Sequence, residues 1–142
     1  MPEYDDDYPT CVSTFATLRF YHKMESPEKV TDLLKVEPSK TQKVGPCPQR
    51  NGIIRRVSGW FLCSKGQVES RDVRRHVDWV LDQIEGSKTG IPLLAEQGWS
   101  ADVFCYWLGI GQGGPMLDPF QMARLSSLNL SCGFDVYDDT AD

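Results

Sequence analysis

Stretches of alternating or nearly continuous apolar residues predict four β-strands along the chain. In residues 12–21 the alternation places Ala16, Leu18 and Phe20 on one face. Residues 59–64 predict a second strand, residues 101–108 a third and residues 130–137 a closing strand. Both faces of residues 101–108 are apolar, which indicates a central strand whose second face presents large rings.

Two longer helices follow from N-terminal signals and helical spacing. Ser26-Pro27 predicts the start of the first, which we expect to end near Val36 because a proline stands two residues later. Ser70 is predicted to cap the second. The apolar residues of this second helix recur at helical intervals and are Val73, Val77, Val80, Leu81 and Ile84.

Two further helices are predicted in the second half of the chain. A short one covers residues 92–97 and ends at Gly98, a residue type that often terminates helices. Asp118-Pro119 predicts the start of the last helix. We expect three of its residues to point inward: Met122, Leu125 and Leu128.

These elements predict a single domain over residues 1–142 with an α+β fold: a two-layer sandwich of a mostly antiparallel sheet with helices on one face, ferredoxin-like or related. The first and last long helices align position by position, with Val30 opposite Met122, which makes a repeated β-α-β unit plausible.

Residues 38–52 are rich in proline and glycine and predict a loop, with room for a short edge strand around Lys43.

The net charge of −5 comes from the two ends of the chain. Residues 1–10 form an acidic N-terminal extension, and acids also cluster after residue 134, whereas residues 8–134 carry fifteen bases and twelve acids, a net +3. The total disfavours non-specific binding to nucleic acid. A local basic stretch remains at Arg50–Arg75, which could contact phosphate or an acidic partner. The preferred interpretation of Arg71–Arg75 is the solvated face of the helix, with Arg75 stacked on Trp79.

The five cysteines are widely spaced and contain no CxxC pair, so we expect reduced thiols, most of them buried. No apolar run is long enough to cross a membrane, and the acidic N-terminus is unlike a targeting signal. We therefore expect a cytoplasmic protein without a membrane partner.

Catalytic and metal-binding patterns are sparse. Neither His22 nor His76 lies in a metal-binding spacing, and His76 shares a helical face with valines, which indicates a core or boundary histidine. No GxSxG sequence occurs. We expect no enzymatic activity, no metal and no cofactor.

The glycine-rich loop after the third strand matches the dinucleotide-binding pattern GxGxxG. Its glycines are Gly109, Gly111, Gly113 and Gly114. The match is weakened because the next helix starts only at Pro119, where the carboxylate of Asp118 stands in the place of a phosphate. A flexible connection is the preferred interpretation, and a ligand-binding loop is the alternative.

An excess of aromatic residues on strands indicates a protein-binding surface. If helices cover one side of the sheet, Tyr, Trp and Arg remain on the other, next to acidic residues that would steer a basic partner. The predicted partner-binding residues are Arg19, Tyr21, Tyr106, Trp107, Asp135, Tyr137, Asp138 and Asp139. Coverage of this face by residues 38–52 or by a second copy in a homodimer remains open.

The sequence resembles an uncharacterised bacterial family, domain of unknown function 4279, over nearly its whole length. The resemblance rests on FATLRFY, on GWFLCSKGQVESRDVRRHVDWVLDQI, and on ADVFCYW followed by the glycine-rich loop, DPFQMARLSSLNL and GFDVYDD. It implies an α+β domain without assigned catalytic residues, of a kind often suspected to comprise immunity proteins for bacterial toxins or small partner-binding modules.

We therefore expect a non-enzymatic domain that binds a toxin or effector by direct contact. One alternative is a nucleic-acid-binding module that uses an aromatic sheet face, as RNA-recognition modules do. The other is a small-molecule or nucleotide site at the glycine-rich loop.

Overall fold

The central strand of the sheet is β1 (Cys11–His22), and its side chains point alternately to the two faces of the sheet. The computed structural model describes residues 3–139, so the outermost ends of the predicted domain, including the acidic Asp142, lie outside the described residues. Ala16, Leu18 and Phe20 of β1 are fully buried, as the alternation predicts.

Four more strands complete the main sheet: β2 (Lys40–Gln42), β5 (Ser58–Cys63), β6 (Ser100–Gly109) and β7 (Ser131–Asp138). The order is β2-β5-β1-β6-β7. Only the β6–β7 pair is parallel, and the other three neighbours are antiparallel.

The region predicted as a proline- and glycine-rich loop contains more regular structure than expected. β2 extends the sheet beside β5, and β3 (Gly45–Pro46) pairs with β4 (Ile54–Arg55) in a separate two-stranded hairpin. The β2 part of this segment therefore lies in the plane of the sheet. Ile54 near the hairpin is 73% exposed.

Within residues 3–139, four α-helices and a short 3-10 helix (Glu85–Ser87) complete the fold; the α-helices are α1 (Glu28–Leu34), α2 (Val73–Gln83), α3 (Gly90–Glu96) and α4 (Pro119–Ser127). Their apolar residues join the buried side of the sheet in one core, which includes Trp60, Leu94 and Val103. This arrangement confirms the predicted α+β fold with a mostly antiparallel sheet. Among residues 3–139, no helix is long and apolar enough to cross a membrane.

The two predicted β-α-β units place their strands differently in the sheet. β5 lies between β1 and β2, whereas β6 and β7 are direct neighbours. The sequence analysis aligned Val30 of α1 with Met122 of α4, but these two side chains differ in burial. Val30 is fully buried, whereas Met122 is 53% exposed. The chain therefore shows no equivalent repeat at these positions.

Two details of the helix predictions are wrong. Asp72, not Ser70, caps α2 by accepting the backbone N–H of Arg74 at 3.0 Å. Met122 of α4 points outward, and Gln121 is the buried residue of this turn. Gln121 is held inward because its side-chain oxygen accepts the backbone N–H of Asp118 and its amide donates to Asp78.

Candidate functional site

The side of the sheet opposite the helices, which we call the open face, carries a row of three rings across β1, β6 and β7. Phe15 and Tyr106 are opposite each other in register and stack with centroids 5.0 Å apart. The ring of Tyr137 follows at 5.6 Å from Tyr106. Phe15 and Tyr106 are partly exposed, and Tyr137 is 49% exposed. Their combined surface is therefore available for contact.

A second group on the open face surrounds an ion pair. Arg19 and Asp102 are opposite each other on β1 and β6, and the guanidinium donates two hydrogen bonds of 2.7 Å to the carboxylate. The guanidinium carbon lies 4.3 Å from the ring centroid of Phe104 and 5.6 Å from that of Tyr21. The Asp102 hydrogen bonds raise the pKa of Arg19. Arg19 is thus a fixed cation among the aromatic rings of the open face. We call these rings the aromatic patch, and they are Phe15, Tyr21, Phe61, Phe104, Tyr106 and Tyr137.

The aromatic patch continues to β5, where Tyr21 and Phe61 meet edge to face at 5.5 Å. On the same face, the ammonium of Lys65 lies 5.4 Å from the centroid of Phe15. The sheet therefore presents rings on four adjacent strands. Aromatic and Arg side chains in such a cluster are typical of the energetically dominant part of a protein interface.

Acidic residues lie at the β7 edge of this patch. Asp135 is opposite Tyr106 in the strand register and accepts a hydrogen bond of 3.0 Å from the Tyr137 hydroxyl. This hydrogen bond raises the pKa of Tyr137. Strand alternation places Asp138 on the side of Val136 rather than on the open face. Asp139 continues beyond β7, where its backbone N–H donates to Gly109.

Besides Asp138, Trp107 is a predicted partner-binding residue that the structure places off the open face. It is 3% exposed and belongs to the helix side of β6, together with Val103 and Cys105. Its ring meets that of Tyr8 edge to face at 6.5 Å. The reason is strand alternation, because adjacent residues such as Tyr106 and Trp107 point to opposite faces.

The N-terminal extension binds to the body of the protein. The hydroxyl of Tyr4 donates to Asp78 at 2.6 Å, and the backbone N–H of Asp5 donates to Asp72 at 2.7 Å. Asp6 accepts hydrogen bonds from Ser70 and Arg75, which lower its pKa. The carboxylate of Asp6 is therefore partly neutralised within the chain.

The same contacts account for part of the basic stretch at Arg50–Arg75. Arg74 is bound by Asp72 and Asp118, and its side chain is 14% exposed. Arg75 pairs with Asp6 and lies 4.4 Å from the ring centroid of Tyr4, so the predicted stacking on Trp79 is replaced by one on Tyr4. Two of the arginines thus have carboxylate partners.

Packing explains two of the four glycines in the GxGxxG segment, Gly109 and Gly113. A Cβ on Gly109 would lie 2.2 Å from the Trp107 ring, and one on Gly113 would lie 2.5 Å from Thr10. Gly111 has a positive φ of 73°, and the carbonyl of Gly114 accepts the Tyr8 hydroxyl at 3.2 Å. The first residues of the chain therefore occupy much of the space beside this loop.

The two histidines have their ring nitrogens engaged. His76 is 1% exposed and contacts the Ser64 hydroxyl at 2.6 Å and the Ser70 carbonyl at 2.8 Å, as expected for a core histidine. Burial lowers its pKa. Nδ1 of His22 accepts backbone N–H groups of Met24 and Glu25, so Nε2 donates to the Gln97 carbonyl.

The cysteines form no disulfide among the described residues, and Cys11, Cys47 and Cys105 are buried. Burial raises the pKa of Cys11 to about 11, which makes this thiol unreactive at neutral pH. Within residues 3–139, no three His, Cys, Asp or Glu side chains converge as metal ligands.

A buried polar cluster that the sequence analysis did not identify centres on Asp78, which is 3% exposed. Its carboxylate accepts hydrogen bonds from Tyr4 at 2.6 Å, Gln121 at 2.8 Å and Arg124 at 3.0 Å. The cluster joins the N-terminal extension, α2 and α4. The sequence signal is weak, because a polar residue beside Val77 and three residues before Leu81 lies only at the margin of the apolar helix face.

Comparisons with curated proteins and with solved structures give no significant match. Residues 11–139 match the family model described as a domain of unknown function (DUF4279). The match covers β1 through β7 and includes every residue of the aromatic patch. On this evidence, the chain belongs to the DUF4279 family.

Proposed function

We propose that this protein is a non-enzymatic binding domain that acts in the cytoplasm and recognises another protein through the open face of its sheet. The observation that supports the proposal is the row Phe15–Tyr106–Tyr137 beside the Arg19–Asp102 pair, all on strands of one rigid sheet. Large rings held in place lose little conformational entropy on binding, so the contact area they supply contributes efficiently to affinity.

The more specific proposal is an immunity protein that neutralises a bacterial toxin or effector by covering its active site. The acidic residues at the β7 edge of the open face support a basic target, because Asp135 lies directly beside Tyr106 and Tyr137 and Asp139 follows at the end of β7. Acidic groups at the margin of an interface accelerate association with a basic surface and contribute less to affinity.

Co-expression with the products of neighbouring genes tests this proposal, with the complex measured by size-exclusion chromatography and calorimetry. Tyr106→Ser and Tyr137→Ser remove large, partly exposed rings, and we expect each to weaken binding by tenfold or more. Phe120→Ser and Met122→Ser are matched controls, since both residues are exposed on α4. Unchanged affinity of the folded Tyr106→Ser and Tyr137→Ser variants would contradict the proposed surface.

A second copy of the chain on the same face is a distinct outcome. Sedimentation of the purified protein over a range of concentrations detects it, and Tyr137→Ser should then shift the monomer–dimer equilibrium. Salt-dependent retention of single-stranded RNA would instead support the nucleic-acid alternative. The acids on β7 argue against that alternative.

A further inference from the structure

A cavity of about 540 Å³ lies on the helix side of the sheet, away from the open face. It is formed where α3 ends, β6 begins and the connection from α4 enters β7. This volume is within the range of small-molecule sites in proteins, which is about 300–1,000 Å³. Because the cavity and the aromatic patch use opposite sides of the sheet, their functions can be tested independently.

The lining of this cavity is mainly apolar. Its larger apolar residues are Phe20, Ile91, Pro92, Trp99, Leu128 and Leu130. Glu96 is the single ionisable side chain of the lining. A carboxylate at this position disfavours an anionic ligand, and the lining contains no basic side chain to pair with one.

Trp99 lines the cavity and carries an unsatisfied hydrogen-bond donor behind its wall. The residue is 4% exposed, and its indole N–H has no partner among residues 3–139. The neighbouring ring of His22, 5.0 Å away, cannot accept this proton because both of its nitrogens are already hydrogen-bonded. Buried polar groups in native proteins nearly always have a hydrogen-bond partner, so an unpaired indole N–H at this position is unusual.

We propose that the cavity binds a small, uncharged and largely apolar molecule whose carbonyl or hydroxyl oxygen accepts the hydrogen bond of the Trp99 indole. The apolar body of the ligand contacts Pro92, Leu128 and Leu130, and Glu96 selects against carboxylates. Because the indole nitrogen is screened from water in this structure, binding requires a side chain of the cavity wall to move aside.

Three probes that share a phenylalkyl body separate the contributions to binding. They are phenylbutanone, which carries one carbonyl, butylbenzene, which has no polar atom, and phenylpropanoate, which is an anion. In calorimetric titrations of the full chain, we expect phenylbutanone to bind about fivefold more tightly than butylbenzene, as one neutral hydrogen bond would provide. Phenylpropanoate should bind more weakly than phenylbutanone.

Variants of the cavity assign each effect to a residue. Trp99→Phe keeps an aromatic ring and removes the N–H, so phenylbutanone should fall to the affinity of butylbenzene. Glu96→Gln should raise the affinity for phenylpropanoate. Ala95→Trp introduces a ring from an exposed position in the lining and should abolish binding, whereas Ala123→Trp on the exposed part of α4 should not.

The proposal is overturned if none of the probes binds at millimolar concentration, or if phenylbutanone and butylbenzene bind equally to the unmodified protein. Binding that survives Ala95→Trp would place the probes elsewhere and would also overturn it. If Trp99→Phe proves unstable, Ala95→Trp and Glu96→Gln still decide the outcome, because both sites are exposed.

Discussion

The phenolic hydroxyl of Tyr4 donates a hydrogen bond of 2.6 Å to the carboxylate of Asp78, 74 positions later in the chain. Burial of the phenol and this hydrogen bond raise the pKa of Tyr4, so the donor stays protonated throughout the pH range of a folded protein. The contact ties the N-terminal extension to the centre of α2, and it therefore contributes to the stability of the whole domain.

Tyr4→Phe removes this hydroxyl and keeps the ring against Arg75. We expect the free energy of unfolding to fall by about 1 kcal/mol, the usual contribution of one hydrogen bond. Urea denaturation measures the change. Tyr137→Phe is the control, since that hydroxyl binds an exposed carboxylate, and a loss as large as for Tyr4→Phe would contradict the assignment.

Asp78→Ala should be the more damaging substitution at the same cluster. It leaves the Arg124 guanidinium and the Gln121 amide without their buried acceptor, and we expect a loss of about 3–5 kcal/mol. Asp82→Ala is matched to it, because Asp82 also binds Arg124 but its side chain is 64% exposed.

For Asp82→Ala we expect a change below about 1 kcal/mol, as for other exposed ion pairs. Urea denaturation of both variants provides the comparison. Equal losses at the two positions would show that the buried network has no special role.

His76 predicts how stability depends on pH. Burial lowers its pKa below the ordinary value of 6.5, so the unfolded chain takes up a proton at a higher pH than the folded chain does. Stability is therefore unaffected well above pH 6.5 and decreases as the pH falls below it, with a slope of at most about 1.4 kcal/mol per pH unit.

Thermal unfolding of His76→Gln between about pH 7 and 5 tests this dependence, since a glutamine amide can both donate to Ser70 and accept from Ser64. We expect the slope in this window to disappear, and His22→Gln should retain it. Asp6 lies near His76, but its pKa is below the ordinary carboxyl value and its protonation follows only at lower pH. An unchanged slope in His76→Gln would assign the effect to another group.

Gly109→Ala tests whether packing determines the glycine-rich loop. The added methyl group would overlap the Trp107 ring, and we expect a loss of about 1–3 kcal/mol. Gly114→Ala adds a methyl group where no atom lies within 4 Å and should be nearly neutral. The melting temperatures of the two variants measure the difference. If Gly109→Ala is neutral, packing does not explain this glycine, and the ligand-binding interpretation of the loop is favoured instead.

The sequence predicted the four longer strands, β1, β5, β6 and β7, because apolar alternation depends only on local geometry. It also assigned Tyr106 and Tyr137 to one partner-binding face, and the structure places their rings 5.6 Å apart. The choice of Trp107 was wrong for a reason already visible in the sequence, since two adjacent residues of a strand cannot share a face.

Other features depend on contacts between distant segments and leave little local signal. A hydrophobic pattern assigns polar residues such as Asp78 and Gln121 to the surface, but each is buried because partners from other elements satisfy its hydrogen bonds. These same bonds rotate α4 so that Gln121, rather than Met122, faces inward. The ion pair between Asp6 and Arg75 likewise joins residues far apart in the chain.

The N-terminal extension packs against the domain and belongs to the same folding unit. The family match starts at residue 11, whereas Tyr4 and Tyr8 complete the polar cluster at Asp78 and cover Trp107. A polypeptide trimmed to the family limits would lose the Tyr4 hydrogen bond and expose part of a core tryptophan. For expression of this domain, the folding unit therefore includes Tyr4 and is longer than the family limits.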